Sequence, residues 1–131
     1  MEKRSTMAVM VVQAGPLRSS IQALMNTMPQ IQIVAEAKEV SALMHMDPQI
    51  RPDLVLLEAD LPGNHLGELL RQINERWTGT RSIVLVDNEA QRLMAETAGA
   101  DAVIFKGFRA ARFVEALERL LAVEPLVGER S

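Results

Sequence analysis

The stretch Pro52 to Gly63, PDLVLLEADLPG, decides the fold of this 131-residue chain. Its apolar segment, Leu54 to Leu57, lacks the polar alternation of a strand with one exposed face, which is typical of a parallel strand covered by helices on both sides. A carboxylate, Glu58, follows this segment, and the Pro62-Gly63 turn prevents the strand from continuing. The pattern predicts a buried central strand that delivers Glu58 to the edge of a sheet.

Working outward, short apolar segments predict four further strands, at Met7–Val12, Ile31–Ala35, Ser82–Val86 and Ala102–Phe105. Amphipathic segments predict five helices, at Pro16–Met28, Glu39–Asp47, His65–Trp77, Glu89–Ala98 and Arg109–Ala122. This regular alternation of strands and helices favours a parallel sheet with right-handed crossovers. We therefore predict one open, doubly wound α/β domain.

Length and composition exclude several classes of protein. A chain of this length buries enough surface to fold without a metal or a disulfide, and the absence of cysteine excludes thiolate and redox chemistry. The net charge of -3, with scattered Lys and Arg, predicts no direct contact with nucleic acid or anionic lipid. No stretch approaches the ~20 apolar residues of a membrane span. We expect a cytoplasmic domain at residues 7–122, a tail at residues 1–6, and a tail or truncated linker at residues 123–131.

The candidate site consists of the residues that end the predicted strands, because ligands of open parallel sheets bind at the carboxyl ends of strands. These residues are Gln13, Ala14, Glu58, Val86, Asp87 and Lys106. His45 and His65 lie on different predicted helices without neighbouring ligands, so we predict no metal site there. The methionines, including Met25, Met28 and Met94, are predicted to be mostly core residues. The sequence shows neither a nucleophile–base pair nor a phosphate-binding glycine motif, so it does not indicate an enzyme.

The segments around these residues resemble the receiver domain of bacterial response regulators, in particular the receivers that precede helix-turn-helix output domains. The resemblance covers about Met7 to Leu121. It is carried by Val11 to Leu17, Ile33 to Ala37, Arg51 to Glu58, Leu61 to Gly63 and Gly99 to Gly107. The resemblance implies a flavodoxin-like, five-stranded parallel sheet of strand order 2-1-3-4-5, with helices on both faces.

In that family, an aspartate at the end of the third strand accepts a phosphoryl group from a histidine kinase. Two acids after the first strand hold Mg²⁺, a hydroxyl after the fourth strand contacts the phosphoryl oxygens, and a lysine after the fifth neutralises charge. Here Glu58 stands at the acceptor position, and Gln13 and Ala14 replace the acid pair. Val86 stands at the position of the hydroxyl residue. If the segment from Val86 to Gly99 is shorter than is usual in the family, Asp87 stands at that position instead. The lysine is retained as Lys106.

Three interpretations of Glu58 follow from this resemblance. In the first, the Glu58 carboxylate forms a permanent ion pair with Lys106 and imitates the phosphorylated state. In the second, the same ion pair only fills a pocket that can no longer be phosphorylated. In the third, Glu58 faces solvent. Asp60 and Asp87 are weaker candidates for a substitute phosphoacceptor. A Schiff-base or general-base role for Lys106 is disfavoured relative to pairing with Glu58.

We therefore predict a receiver-like domain with a degenerate phosphorylation site, acting in bacterial two-component signalling through protein interaction rather than as an enzyme. Mg²⁺ binding is expected to be weak or absent, and no cofactor is expected. The partner would be another protein, an output domain of the same protein, or a second copy bound through the predicted fourth helix, fifth strand and fifth helix. Two alternatives are a receiver phosphorylated at a residual carboxylate and a small-ligand sensor in the pocket left by Gln13, Ala14 and Val86.

Overall fold

The fold is a single parallel sheet between two layers of helices, described by a computed structural model over residues 6–37, 45–46, 49–60 and 65–129. Its strands are β1 (Thr6–Val11), β2 (Ile31–Ala37), β3 (Leu54–Glu58), β4 (Arg81–Val86) and β5 (Ala102–Phe105). Their order is β2-β1-β3-β4-β5, and all neighbouring strands run parallel. The predicted flavodoxin-like topology is confirmed.

Four helices cover the sheet in the described part of the chain: α1 (Pro16–Asn26), α2 (Leu66–Arg76), α3 (Glu89–Thr97) and α4 (Ala110–Glu129). They correspond to the first, third, fourth and fifth predicted helices. The predicted second helix, Glu39–Asp47, falls outside the described residues except for His45 and Met46, which form a turn and a bend. Side chains of α1 and α4 pack on one face of the sheet, and those of α2 and α3 pack on the other.

The missing polar alternation of β3 is explained by these two helical layers. Leu54 and Leu56 pack in the core beneath α1 and α4, while Val55 and Leu57 pack in the core beneath α2 and α3. All four side chains are completely buried. Because both faces of a central parallel strand are covered by helices, every position of the strand before Glu58 favours an apolar residue.

The ends of the helices follow ordinary capping rules. α1 begins at Pro16. Proline lacks an amide hydrogen, but the first residue of a helix makes no intrahelical hydrogen bond through its amide, so proline is well tolerated there. The side chain of Asn88 accepts a hydrogen bond from the Gln91 amide, 2.9 Å away, at the start of α3. Gly99 follows α3 with φ 97°, and the predicted glycine cap at this position is confirmed. These caps fix where the connections at the two ends of the sheet begin.

Two predictions about the helices were wrong. α4 was expected to end at Ala122 but continues to Glu129. On α3, Met94 was expected to be a core residue, yet Met94 is 57% exposed and Leu93 is 53% exposed. α3 contacts the sheet through the fully buried Ala95 instead. Because successive helical residues are rotated by about 100°, packing through Ala95 turns Leu93 away from the sheet.

Across the described ranges, no helix combines the length and the hydropathy needed to cross a membrane.

Candidate functional site

Four charged side chains meet at the carboxyl edge of the sheet: Glu58, Asp60, Asp87 and Lys106. Glu58 ends β3 and pairs in register with Leu85 of β4. Lys106 directly follows β5, and its backbone N–H donates to the Val86 carbonyl at 2.8 Å. Because β3, β4 and β5 are adjacent parallel strands, the residues that follow them are brought together at one edge.

Glu58 is buried, with only 7% of its surface exposed. Its Oε1 atom accepts a hydrogen bond from the backbone N–H of Gln13 at 2.8 Å. Its Oε2 atom lies 2.9 Å from the Lys106 ammonium nitrogen. The interpretation in which Glu58 faces solvent is therefore wrong, because both carboxylate oxygens are held by donors of the protein.

Lys106 contacts three carboxylates at once. Its Nζ atom lies 2.9 Å from Glu58, 2.9 Å from Asp60 and 3.2 Å from Asp87. An ammonium group has three hydrogens, so each carboxylate can accept one of them. Burial lowers the pKa of Lys106, but hydrogen bonds to Asp60, Glu58 and Asp87 outweigh burial and raise the pKa above its ordinary value. Lys106 is consequently a charged group, which disfavours a Schiff-base or general-base role.

The Lys106 hydrogen bond and charge lower the pKa of Asp60 below its ordinary value. A lowered pKa in the folded state means that the ion pair stabilises the fold above pH 3.8, the ordinary value for Asp. This contribution is lost as the pH falls through the folded-state pKa.

Asp60→Asn is expected to destabilise the domain by about 0.5 kcal/mol at neutral pH, since the Asp60 side chain is 46% exposed and water screens the pair. The difference from wild type should disappear in acid, once the pH has fallen below the lowered folded-state pKa of Asp60 and the carboxyl is protonated in both states. Urea unfolding at neutral pH and in acid measures this difference in stability. Glu118→Gln, at an exposed position of α4, is the control. A difference that persists in acid would assign the effect to the amide rather than to the lost charge.

The remaining predicted site residues lie around this cluster but contribute less to it. The side chains of Gln13 and Ala14 are exposed, and only the Gln13 backbone reaches Glu58. Val86 is completely buried in the core beneath α2 and α3. Of the two residues considered for the hydroxyl position, Asp87 is therefore the one whose side chain enters the site.

In the ranges that the structure describes, no group of three or more His, Cys, Asp or Glu is arranged to hold a metal ion. His45 and His65 are both exposed, and His65 immediately precedes α2.

Sequence reasoning missed two participants. Asp60 was considered only as a substitute phosphoacceptor, although its position two residues after Glu58 was a usable signal for a second Lys106 partner. Arg18 was not singled out at all. Its guanidinium lies among the ends of β1 and β2, with Nε 3.0 Å from the Val12 carbonyl oxygen. An arginine on an amphipathic helix is ordinarily interpreted as solvent-facing, so no sequence signal pointed to this contact.

A doubly wound sheet of order 2-1-3-4-5, with acidic residues and a lysine at its carboxyl edge, defines the receiver class of signalling domains. The profile of the family described as "Response regulator receiver domain" matches residues 9–118. The chain belongs to this family, which confirms the resemblance stated from the sequence. It is a receiver domain of the two-component response regulator type.

Curated relatives include longer response regulators. The nitrate/nitrite response regulator protein NarL of Escherichia coli (strain K12) is 25% identical over 132 residues, covering 98% of this chain and 61% of NarL. The DNA-binding transcriptional activator DevR/DosR of Mycobacterium tuberculosis is 26% identical over 117 residues, covering 88% of this chain and 54% of DevR/DosR. The chain thus spans between about half and three fifths of the length of these relatives.

Solved structures with the same architecture include a two-component response regulator of the LuxR family from Aurantimonas sp. SI85-9A1. It is 26% identical, with a TM-score of 0.79 and coverage of 90% of this chain and 86% of that one. The signal receiver domain of the putative response regulator NarL from Mycobacterium tuberculosis has a TM-score of 0.77 at 18% identity, covering 89% and 96% of the two chains. At 18% identity, the similarity to the Mycobacterium tuberculosis receiver domain concerns the fold alone.

Proposed function

We propose that this receiver domain acts without phosphorylation, by presenting a fixed conformation that a protein partner recognises. The observation that carries the proposal is the position of Glu58, whose two carboxylate oxygens are bound by Lys106 and by the Gln13 backbone. A phosphoacceptor must offer an oxygen to the incoming phosphorus atom. Asp60 and Asp87 add two further negative charges within 3.2 Å of Lys106, which disfavours the approach of an anionic phosphoryl donor.

The same residues support weak or absent Mg²⁺ binding. Mg²⁺ demands near-octahedral oxygen ligands and is usually bound through one or two carboxylates together with water. Gln13 and Ala14 supply no carboxylate after β1. The three carboxylates that are present all lie within 3.2 Å of the Lys106 ammonium, whose positive charge would repel a divalent cation bound beside it. The donor set therefore fits a permanent ion-pair cluster better than it fits a divalent cation.

The wild-type protein is expected to gain no phosphoryl group during incubation with acetyl phosphate and Mg²⁺, because Gln13 and Lys106 already bind the two Glu58 oxygens and no acid pair follows β1 to hold Mg²⁺. Intact-protein mass spectrometry measures the gain, and sedimentation with and without beryllofluoride tests for a response to a phosphoryl mimic. A known phosphorylatable receiver treated in parallel serves as the positive control. A mass gain mapped to Glu58, Asp60 or Asp87 would instead establish a receiver that uses a residual carboxylate.

We propose a surface formed by α3, β5 and α4 as the contact surface for the partner. Three large apolar side chains in the described ranges are exposed, namely Leu93 (53%), Met94 (57%) and Phe105 (43%), and they lie on α3 and β5. Exposed apolar side chains that occur together are typical of interaction sites. This surface is the fourth helix, fifth strand and fifth helix of the sequence prediction.

The charges of α4 favour a second copy of the chain as the partner. Arg112 and Glu115 are exposed, carry opposite charges, and both line the groove between α4 and β5. In a two-fold symmetric pair with antiparallel α4 helices, Arg112 of each copy lies opposite Glu115 of the other. The same residue pair therefore forms twice across the symmetry axis.

Arg112→Glu is expected to weaken this dimer at least about tenfold, because the reversal places like charges together at both symmetric positions. Sedimentation equilibrium over a concentration series measures the dissociation constant. The double variant Arg112→Glu/Glu115→Arg should restore dimerisation, while Arg71→Glu on α2 should leave it unchanged. A wild-type protein that is monomeric throughout would assign the surface to another protein or to an output domain of a longer chain.

A further inference from the structure

One peptide group joins the Glu58 cluster to a second charged group at the same edge of the sheet. The N–H of Gln13 donates to Glu58 Oε1 at 2.8 Å. The carbonyl of Val12, which belongs to the same peptide group, accepts a hydrogen bond from Arg18 Nε at 3.0 Å. This single peptide group therefore has a carboxylate on its hydrogen and a guanidinium on its oxygen.

Arg18 fastens the ends of β1 and β2 together. Its Nη2 atom also donates to the Val12 carbonyl and donates to the Ala37 carbonyl at 3.1 Å. The backbone N–H of Val12 donates to the same Ala37 carbonyl at 3.1 Å. Glu36 lies 3.7 Å from Arg18 Nη1, and the Arg18 side chain is only 18% exposed. The guanidinium is thus a largely buried group that occupies a defined place at the carboxyl edge of the sheet.

The Glu58 carboxylate and the Arg18 guanidinium polarise the Val12–Gln13 peptide group in the same direction. A cation at the carbonyl oxygen draws electron density toward the oxygen, which makes the N–H a stronger donor to the carboxylate. Hydrogen bonds in such a chain strengthen one another, and bonds to charged groups are stronger than neutral ones. The position of Glu58 therefore depends on a residue that does not touch it.

We infer that Arg18 is a positioning residue for Glu58 and acts through the Val12–Gln13 peptide group. The chain of charged contacts and hydrogen bonds then runs from Arg18 through this peptide group and Glu58 to Lys106. It links β2, β1, β3 and β5 at one edge of the sheet. The inference rests on the proposed function in one respect, since the fixed Glu58 is what holds the conformation that a partner recognises.

The Gln13 amide signal in a ¹H–¹⁵N NMR spectrum tests the inference. A carboxylate acceptor moves an amide proton downfield, so Glu58→Gln should move the Gln13 proton signal upfield. Arg18→Met is expected to move it in the same direction, by a comparable amount. Arg18→Lys should restore part of the shift, because an ammonium can still donate to the Val12 carbonyl but lacks the forked geometry of the guanidinium.

Glu36→Gln is the matched control, because it removes the carboxylate beside Arg18 but leaves the hydrogen bonds to Val12 in place. It should leave the Gln13 signal close to its wild-type position. Urea unfolding of Arg18→Met, Glu58→Gln and the double variant supplies a second measurement. The double variant should be more stable than the sum of single effects predicts, by about fivefold in the unfolding equilibrium constant.

A Gln13 signal that moves in Glu58→Gln but not in Arg18→Met or Arg18→Lys would overturn the inference, as would additive unfolding effects. If Arg18→Met does not fold, Arg18→Lys and Glu36→Gln decide the question. Both measurements use the domain without a phosphoryl donor or a partner. Their outcome is therefore independent of the mass-spectrometric test of phosphorylation.

Discussion

Lys106→Met is expected to destabilise the domain by about 3 kcal/mol at neutral pH, since breaking a buried ion pair leaves an uncompensated charge. The substitution would remove the cation from Glu58 Oε2, while the Gln13 N–H would still donate to Oε1. Asp60 and Asp87 would also lose the positive charge that now offsets part of their repulsion with Glu58. Urea unfolding followed by the fluorescence of Trp77, the single and buried tryptophan, measures the loss.

The double variant Lys106→Met/Glu58→Gln should recover most of this stability. A glutamine at position 58 is neutral, and its carbonyl oxygen can still accept from the Gln13 N–H. Arg119→Met, at an exposed position of α4, is a matched control and should destabilise the domain by less than about 0.5 kcal/mol. A Lys106→Met protein as stable as that control would show that water, not Lys106, satisfies the carboxylates.

The central strands of the sheet were predictable from the sequence because they are buried on both faces. A run such as Leu54 to Leu57 has no polar residue, and this composition follows directly from two covering helical layers. The apolar stripe of α2, which continues to Trp77 just after the helix, was predictable for a related reason, since its five large apolar residues are all buried. α3 was the exception, because its contact with the sheet is made by the small residue Ala95 and hydropathy assigns little weight to alanine.

The site was predictable only in part. Strand ends identify residues that share an edge of the sheet, and Glu58 and Lys106 were placed together on that basis. Contacts made by loops and helices carry no comparable periodicity. Asp60 reaches Lys106 from the loop after β3, and Arg18 reaches Val12 from α1 across a turn. Whether Val86 or Asp87 faces the site depended on where β4 ends, and a boundary error of one residue exchanges the two faces of a strand.

Restoring the residue types that the family uses is expected to produce a phosphorylatable receiver. The variant carries Gln13→Asp, Ala14→Asp, Glu58→Asp and Asp87→Thr. The first two changes supply carboxylates for Mg²⁺, which can then neutralise charge that develops during phosphoryl transfer. Glu58→Asp withdraws the carboxylate by one methylene from Lys106 and frees an oxygen for attack. Asp87→Thr replaces a repelling carboxylate with a hydroxyl that can donate to a phosphoryl oxygen.

Acetyl phosphate and Mg²⁺ should therefore add one phosphoryl group to the restored variant, measured as a gain in intact mass, and chelation of Mg²⁺ should abolish the gain. Glu58→Asp alone is expected to show little or none, because the metal ligands after β1 are still missing. This comparison separates the geometry of the site from its chemistry. If the restored variant folds, binds Mg²⁺ and still gains no mass, the loops around Lys106 and not the residue types prevent phosphorylation. If Glu58→Asp alone is phosphorylated as well as the restored variant, the length of the Glu58 side chain is the single obstacle.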